Sequence, residues 1–295
     1  MSISAAMVKE LRERTGSGMM ECKKALVEAN GDMELAIENM RKAGLAKADK
    51  KSGRIAAEGI IGAKVSDDAK TVVMVDVNCE TDFVAKGDDF VGFVNDITNA
   101  LLVAADVENE EQLQALVLAS GSTVDETRRA LIAKLGENIT VRRFVKYSCA
   151  DGGQAAYLHG SKIGVIVELS KEDAELGKDI SMHIAASKPM CISADQVAAE
   201  AIEKEKEIFL AQQEEKIKGK PADIVEKMVS GRVNKFLAEI TLQGQAFIKD
   251  DSKTVGQLLK EKGNVVSRFA RFEVGEGIEK KEEDFAAEVM AQVRG

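Results

Sequence analysis

The sequence predicts an α+β fold, and three observations carry that expectation. The first 52 residues hold three short apolar-periodic segments separated by glycine turns, the pattern of a small helical module. Two later stretches each run strand, strand, helix, which suggests a duplicated α+β core with antiparallel sheets. Between residues 194 and 240, two amphipathic segments flank Gly219-Lys220-Pro221 and read as a projecting antiparallel helical hairpin. A C-terminal helical module completes the plan. The expected divisions are 1–53, a three-helix module; 54–145, the first half of the core; 146–250, the second half with the hairpin 194–240; and 251–295, the C-terminal module.

In the N-terminal module, Ser4 can cap a helix carrying Met7, Val8 and Leu11, and Thr15-Gly16-Ser17-Gly18 breaks it. A second helix carries Met19, Cys22, Ala25, Leu26 and Ala29. Asp32 caps a third, with Leu35, Ala36, Ile37 and Met40, and Gly44 is expected to end it. Met19 and Met20 are read as core filler, with exposure of one of them an open alternative. Lys47–Gly53 is polar and charged and reads as a linker, with a basic contact strip as the alternative.

Ile60–Val65 and Val72–Val77 read as strands joined at Ser66-Asp67-Asp68. Phe90, Val91, Phe93, Val94, Ile97, Leu101 and Leu102 then mark one apolar helical face. Between strand and helix lies Thr81-Asp82-Phe83-Val84-Ala85-Lys86, where Thr81 or Asp82 can supply the N-cap. Phe83 falls in the first turn and has two readings. It is a core residue or hydrophobic staple, or it is held outward beside a carboxylate to enter another protein. A helix through Arg128–Leu135, closed by Gly136, and a strand at Ile139–Val145 finish the first half.

The second half repeats the plan, with Tyr157-Leu158-His159-Gly160 leading to a strand at Ile163–Leu169 and a helix carrying Ile180, His183, Ile184 and Ala186. In the hairpin, Val197, Ala201, Ile202, Ile208 and Phe209 face one way. Ile224, Val225, Met228, Val229, Val233, Phe236, Leu237 and Ile240 mark the return helix. A helix at Thr254–Lys260, a strand at Val266–Val274 and a helix at Phe285–Val293 follow.

Composition narrows the function. A chain of 295 residues, 45% hydrophobic, can bury a substantial core, mostly aliphatic because aromatics are 4%. The net charge of −9 argues against broad nonspecific binding to nucleic acid. The four cysteines, Cys22, Cys79, Cys149 and Cys191, have no CxxC spacing, which leaves reduced thiols as the expectation. No signal peptide and no membrane-spanning run is visible, so a soluble, cytoplasmic protein is expected. Gly16–Gly18 follows no strand, and Lys23-Lys24 comes too late for a phosphate-binding loop. His183 lies on an apolar helix face and reads as a satisfied core residue, whereas His159 beside Gly160 can be exposed. Neither histidine has a nucleophile or metal-ligand spacing near it, so no enzyme, metal or cofactor is expected.

Val8–Gly16, Met19–Leu26, Asn78–Lys86, His159-Gly160 and His183–Pro189 together resemble bacterial elongation factor Ts across essentially the full chain. The resemblance implies a ubiquitin-associated-like N-terminal module and a core that serves as a dimerisation domain. It also implies the activity of a guanine-nucleotide exchange factor for elongation factor Tu. On that resemblance Thr81, Asp82, Phe83 and Val84 dislocate the partner's Mg²⁺, with Phe83 as the wedge and Asp82 as its polar positioner. Exposure then becomes the favoured reading of Phe83. Arg12, Met19, Met20, Lys23, Lys51, Gly136 and His159 are the implied partner contacts. A non-exchanging adaptor module is the alternative, and an enzyme with a concealed site is a third.

Overall fold

A computed structural model describes residues 3–279. Three helices come first: α1 (Ala5–Thr15), α2 (Met19–Glu28) and α3 (Met33–Lys51). The hairpin β1 (Glu58–Val65) and β2 (Thr71–Cys79) follows, then α4 (Asp82–Ala85), α5 (Asp88–Val103), α6 (Glu110–Ala115), α7 (Val124–Leu135) and β3 (Ile139–Ser148). Next are β4 (Gly153–His159), β5 (Ile163–Leu169) and α8 (Ala174–Ser187). The hairpin helices are α9 (Ala199–Gln212), the single turn α10 (Glu214–Ile217) and α11 (Ala222–Ile240). The described chain finishes with β6 (Ala246–Phe247), β7 (Asp250–Thr254), α12 (Val255–Glu261) and β8 (Val266–Glu273). The two larger sheets have three strands each, in the orders β1-β2-β3 and β4-β5-β8. Within the described residues, one compact unit holds 3–62, 75–144 and 273–279, and the other holds 63–74 and 145–272.

In the first unit, local chemistry sets the helix starts. Ser4 accepts from the Met7 N–H and Asp32 from the Leu35 N–H, each satisfying one free donor of a first turn. Leu11, Cys22, Ala25, Leu26, Ala29 and Ala36 are buried together as the shared core of the three helices. Gly44 does not end α3, which continues to Lys51, so the stretch expected as a linker is largely helix. The reason is tertiary. A Cβ on Gly44 would sit 3.2 Å from the Ala133 Cβ, so glycine serves there for close packing of α3 on α7. Asp49 pairs with Arg129 at 3.0 Å, and Arg41 pairs with Glu126, along the same seam. Of the predicted α5 stripe, Phe90, Phe93, Val94, Ile97 and Leu101 are buried, and Val91 and Leu102 at its edges are half-buried. Each of the buried side chains contributes about 1.5–3 kcal/mol of burial.

In the second unit, β4 and β5 pair antiparallel from Gly153↔Leu169 to His159↔Ile163. Val165, Val167 and Leu169 of β5 share a core with Leu176, Ile180 and Ile184 of α8. Val255, Leu258 and Leu259 of α12 and Val266 of β8 lie in that same core, so residues 255–266 of the expected C-terminal module are built into this unit. The helix expected at Phe285–Val293 lies outside the described residues. His183 is fully buried; it accepts from the Ile248 N–H through Nδ1 at 3.3 Å and lies 2.9 Å from Gln245 Oε1 through Nε2. Helices α9 and α11 pack on each other, with no residue of either fully buried. Arg232 bonds Glu205 across them at 2.6 Å. Among the described residues no helix is long and apolar enough to cross a membrane.

Candidate functional site

Strand β2 is buried up to Cys79, and the chain surfaces at Thr81. Thr81 is extended (φ −121°, ψ 154°), and its Oγ1 accepts from the Val84 N–H at 3.3 Å, which starts α4. The helix is one turn long. Its Ala85 is buried, and Phe83, two residues back, is rotated by roughly 200° on a 3.6-residue turn to the opposite side. Phe83 is accordingly 87% exposed, which removes the core reading. Gly87 separates α4 from α5, where the sequence suggested a single helix. Asp82 is exposed and pairs with Lys86 at 2.7 Å within the same turn; that hydrogen bond raises the Lys86 ammonium above its ordinary range.

The anchor of this turn comes from the end of α7. Gly136, in the left-handed region at φ +81°, closes α7 with its N–H on the Ile132 carbonyl. Glu137 then accepts the Thr81 N–H through Oε2 at 3.0 Å and the Thr81 hydroxyl through Oε1 at 2.6 Å. The Asn138 N–H donates to Glu80 at 2.6 Å, and the Asn138 side-chain amide donates to the carbonyls of Ser52 (3.3 Å) and Arg54 (2.8 Å). The Lys51 ammonium donates to the Gly136 carbonyl, a basic group on a helix C-terminus. Gly136-Glu137-Asn138 therefore holds the Phe83 turn on one side and the end of α3 on the other.

The site residues named from the sequence fall into four places. Thr81, Asp82, Phe83 and Val84 share the turn α4. Arg12 of α1 and Met19, Met20 and Lys23 of α2 are all exposed, Met19 at 58% and Met20 at 76%. Lys51 is half-buried and bound to Gly136, so these two are joined to each other. His159 belongs to the other unit, exposed at the end of β4, with its Nδ1 3.1 Å from the Tyr157 hydroxyl. Sequence reasoning passed over Val27, which is exposed and lies seven residues after Met20, two turns along the same helix face. Glu80 enters the sequence reading only as part of the Asn78–Lys86 stretch, and Glu137 and Asn138 not at all; the partners of all three are distant in sequence. The i, i+7 spacing could have found Val27; no local signal marks the others. Among the described residues, no group of three His, Cys, Asp or Glu side chains is placed to hold a metal ion.

The sequence model of the family described as Elongation factor TS matches residues 80–276. Curated relatives extend the likeness to the whole chain. The Elongation factor Ts of Methylococcus capsulatus is 65% identical over 294 residues, 100% of this chain and 99% of that protein. That of Thioalkalivibrio sulfidiphilus is 60% identical over 298 residues, 100% of both chains. That of Legionella pneumophila is 56% identical over 293 residues, 99% of both. With the family's own model matching more than half of this chain and relatives aligned end to end, the chain belongs to the elongation factor Ts family.

Proposed function

We propose that this chain is a guanine-nucleotide exchange factor for elongation factor Tu, acting in the cytoplasm during translation elongation, and that Phe83 is the side chain that opens the nucleotide site. The observation that carries the reading is an 87% exposed phenylalanine on a one-turn helix fixed at its N-cap by a carboxylate from elsewhere in the fold. An exposed aromatic gains nothing in the free protein and releases its burial energy only inside a partner.

The mechanism is linkage. A GTPase holds GDP through backbone N–H groups, a lysine and a Mg²⁺ ion. A factor that binds the empty form more tightly than the GDP form weakens GDP by the same factor. Thr81, Asp82, Phe83 and Val84 engage the partner so that Phe83 displaces the packing behind its metal and phosphate loop. Mg²⁺ and GDP then leave, and GTP rebinds. Arg12, Met19, Met20 and Lys23 serve as the docking face. The methionines fit an adaptable apolar contact and the cations fit acidic neighbours. Phe83 works by position and takes no part in covalent chemistry.

Stopped-flow release of labelled GDP from elongation factor Tu tests this reading. An exchange factor accelerates release in proportion to its occupancy. An adaptor would bind and leave the release rate unchanged, which would overturn the proposal.

A further inference from the structure

We infer that Glu137 is the positioning residue for the Phe83 wedge. The inference rests on the exchange reading above and adds a residue to its machinery. A single helical turn fixes several backbone angles for one or two hydrogen bonds and does not hold its own orientation. Something outside α4 must aim Phe83. The Asp82–Lys86 bond joins the two ends of the same turn and by itself ties the turn to nothing else in the fold. Glu137 is different, because it reaches Thr81 from 56 residues away. Its two oxygens take two donors of one residue, the N–H at 3.0 Å and the hydroxyl at 2.6 Å. Two bonds to a carboxylate fix direction as well as distance, and bonds to an ionised acceptor are stronger than neutral ones. The Thr81 hydroxyl, so held, presents its lone pair to the Val84 N–H and sets the path of the turn that carries Phe83.

The base of the clamp is itself held. Glu137 stands between Gly136, whose carbonyl receives the Lys51 ammonium, and Asn138, which grips the carbonyls of Ser52 and Arg54. Helix α3 and the wedge turn are thereby fixed to consecutive residues of one segment. A partner docked on the N-terminal helices meets Phe83 at a set offset, and Glu137 transmits that offset.

The test compares wild type with Glu137→Ala, Glu137→Gln and Phe83→Ala in the full chain. GDP release from elongation factor Tu is followed across factor concentration, giving a maximal rate and a half-saturating concentration, and each protein is melted. With Glu137→Ala the maximal rate should fall roughly tenfold or more, the scale of losing a positioned group. The half-saturating concentration should change little and the melting temperature by only a few degrees. Glu137→Gln keeps one acceptor oxygen for Thr81 and should fall between wild type and Glu137→Ala. If Glu137→Ala melts far lower, the isosteric Glu137→Gln carries the comparison, and a rate equal to wild type overturns the inference. A Glu137→Ala protein with normal maximal rate beside a slow Phe83→Ala would leave the wedge standing and remove Glu137 from it. A Glu137→Ala effect confined to the half-saturating concentration would make Glu137 a docking residue and overturn its positioning role. A Phe83→Ala protein as fast as wild type would remove the wedge reading and this inference with it.

Discussion

Glu137 accepts both the backbone N–H and the hydroxyl of Thr81, at 3.0 and 2.6 Å, so one carboxylate fixes the residue that begins the Phe83 turn. Thr81 thus caps α4 and anchors it. Thr81→Ala should cost about 0.5–2 kcal/mol of stability, the usual loss of a helix cap. Thr81→Ser keeps both functions of the hydroxyl and should stay close to wild type. Urea denaturation of the two variants checks the difference.

Gly44 and Ala133 pack closely where α3 meets α7, with 3.2 Å available to a Cβ at position 44. Gly44→Val should cost about 1–3 kcal/mol through overpacking. Ala133→Gly in the same chain should recover part of that loss. If α3 were a free tether, Gly44→Val would instead be neutral or slightly stabilising, because glycine is a poor helix former. Thermal or chemical denaturation of the single and double variants decides.

The contrast between these two contacts explains what the sequence could show. Caps are local, so Ser4, Asp32, Thr81 and Gly136 were legible as single residues beside an apolar period. The stripe of α5 and the strand pairs were legible for the same reason. Gly44 reads locally as a stop, and only α7, some eighty residues later, turns it into a packing position. Glu137 reads locally as an ordinary acidic residue after a helix, and its role exists only once the fold brings Thr81 to it. The exposure of Phe83 was undetermined by pattern, because a phenylalanine in a first turn can face either way. The one-turn length of α4 settles its direction.

The hairpin α9–α11 should be removable. Its base is closed by backbone bonds from Leu242 to Cys191 and from Gln243 to Ile192, each 2.9 Å, so the chain ends are already adjacent. No residue of α9 or α11 is fully buried, so deletion strips little from the core of the second unit. Excising 197–238 with a short glycine linker should leave a cooperative melt and most of the GDP-release rate. Circular dichroism and the release assay measure both, and loss of most of the rate in a folded protein would contradict the expectation.

Burial depresses the pKa of His183 below the ordinary 6.5, the hydrogen bond with Gln245 opposing it in part. The sign follows from linkage. Above about pH 6.5 the ring is neutral in both states and its stabilising contribution is fully present. As the pH falls through 6.5 toward the folded value, the unfolded chain takes up the proton first and stability is lost. Denaturation midpoints should therefore fall with acid through this window. The His183 ring resonances should titrate below 6.5 in the folded protein, as NMR can follow directly.

The measurement that bears most directly on the central claim is Phe83→Ala, read in both stability and rate. A buried phenylalanine truncated to alanine costs about 3–5 kcal/mol. At 87% exposure there is no cavity to open, so the melting temperature should scarcely move. GDP release from elongation factor Tu at saturating factor should slow, because binding energy used to strain the nucleotide site appears in the rate. Added Mg²⁺ should oppose the wild-type factor, since it favours the GDP-bound form. A Phe83→Ala protein that melts as wild type and releases GDP slowly is the predicted result; one that releases GDP at the wild-type rate would contradict the account.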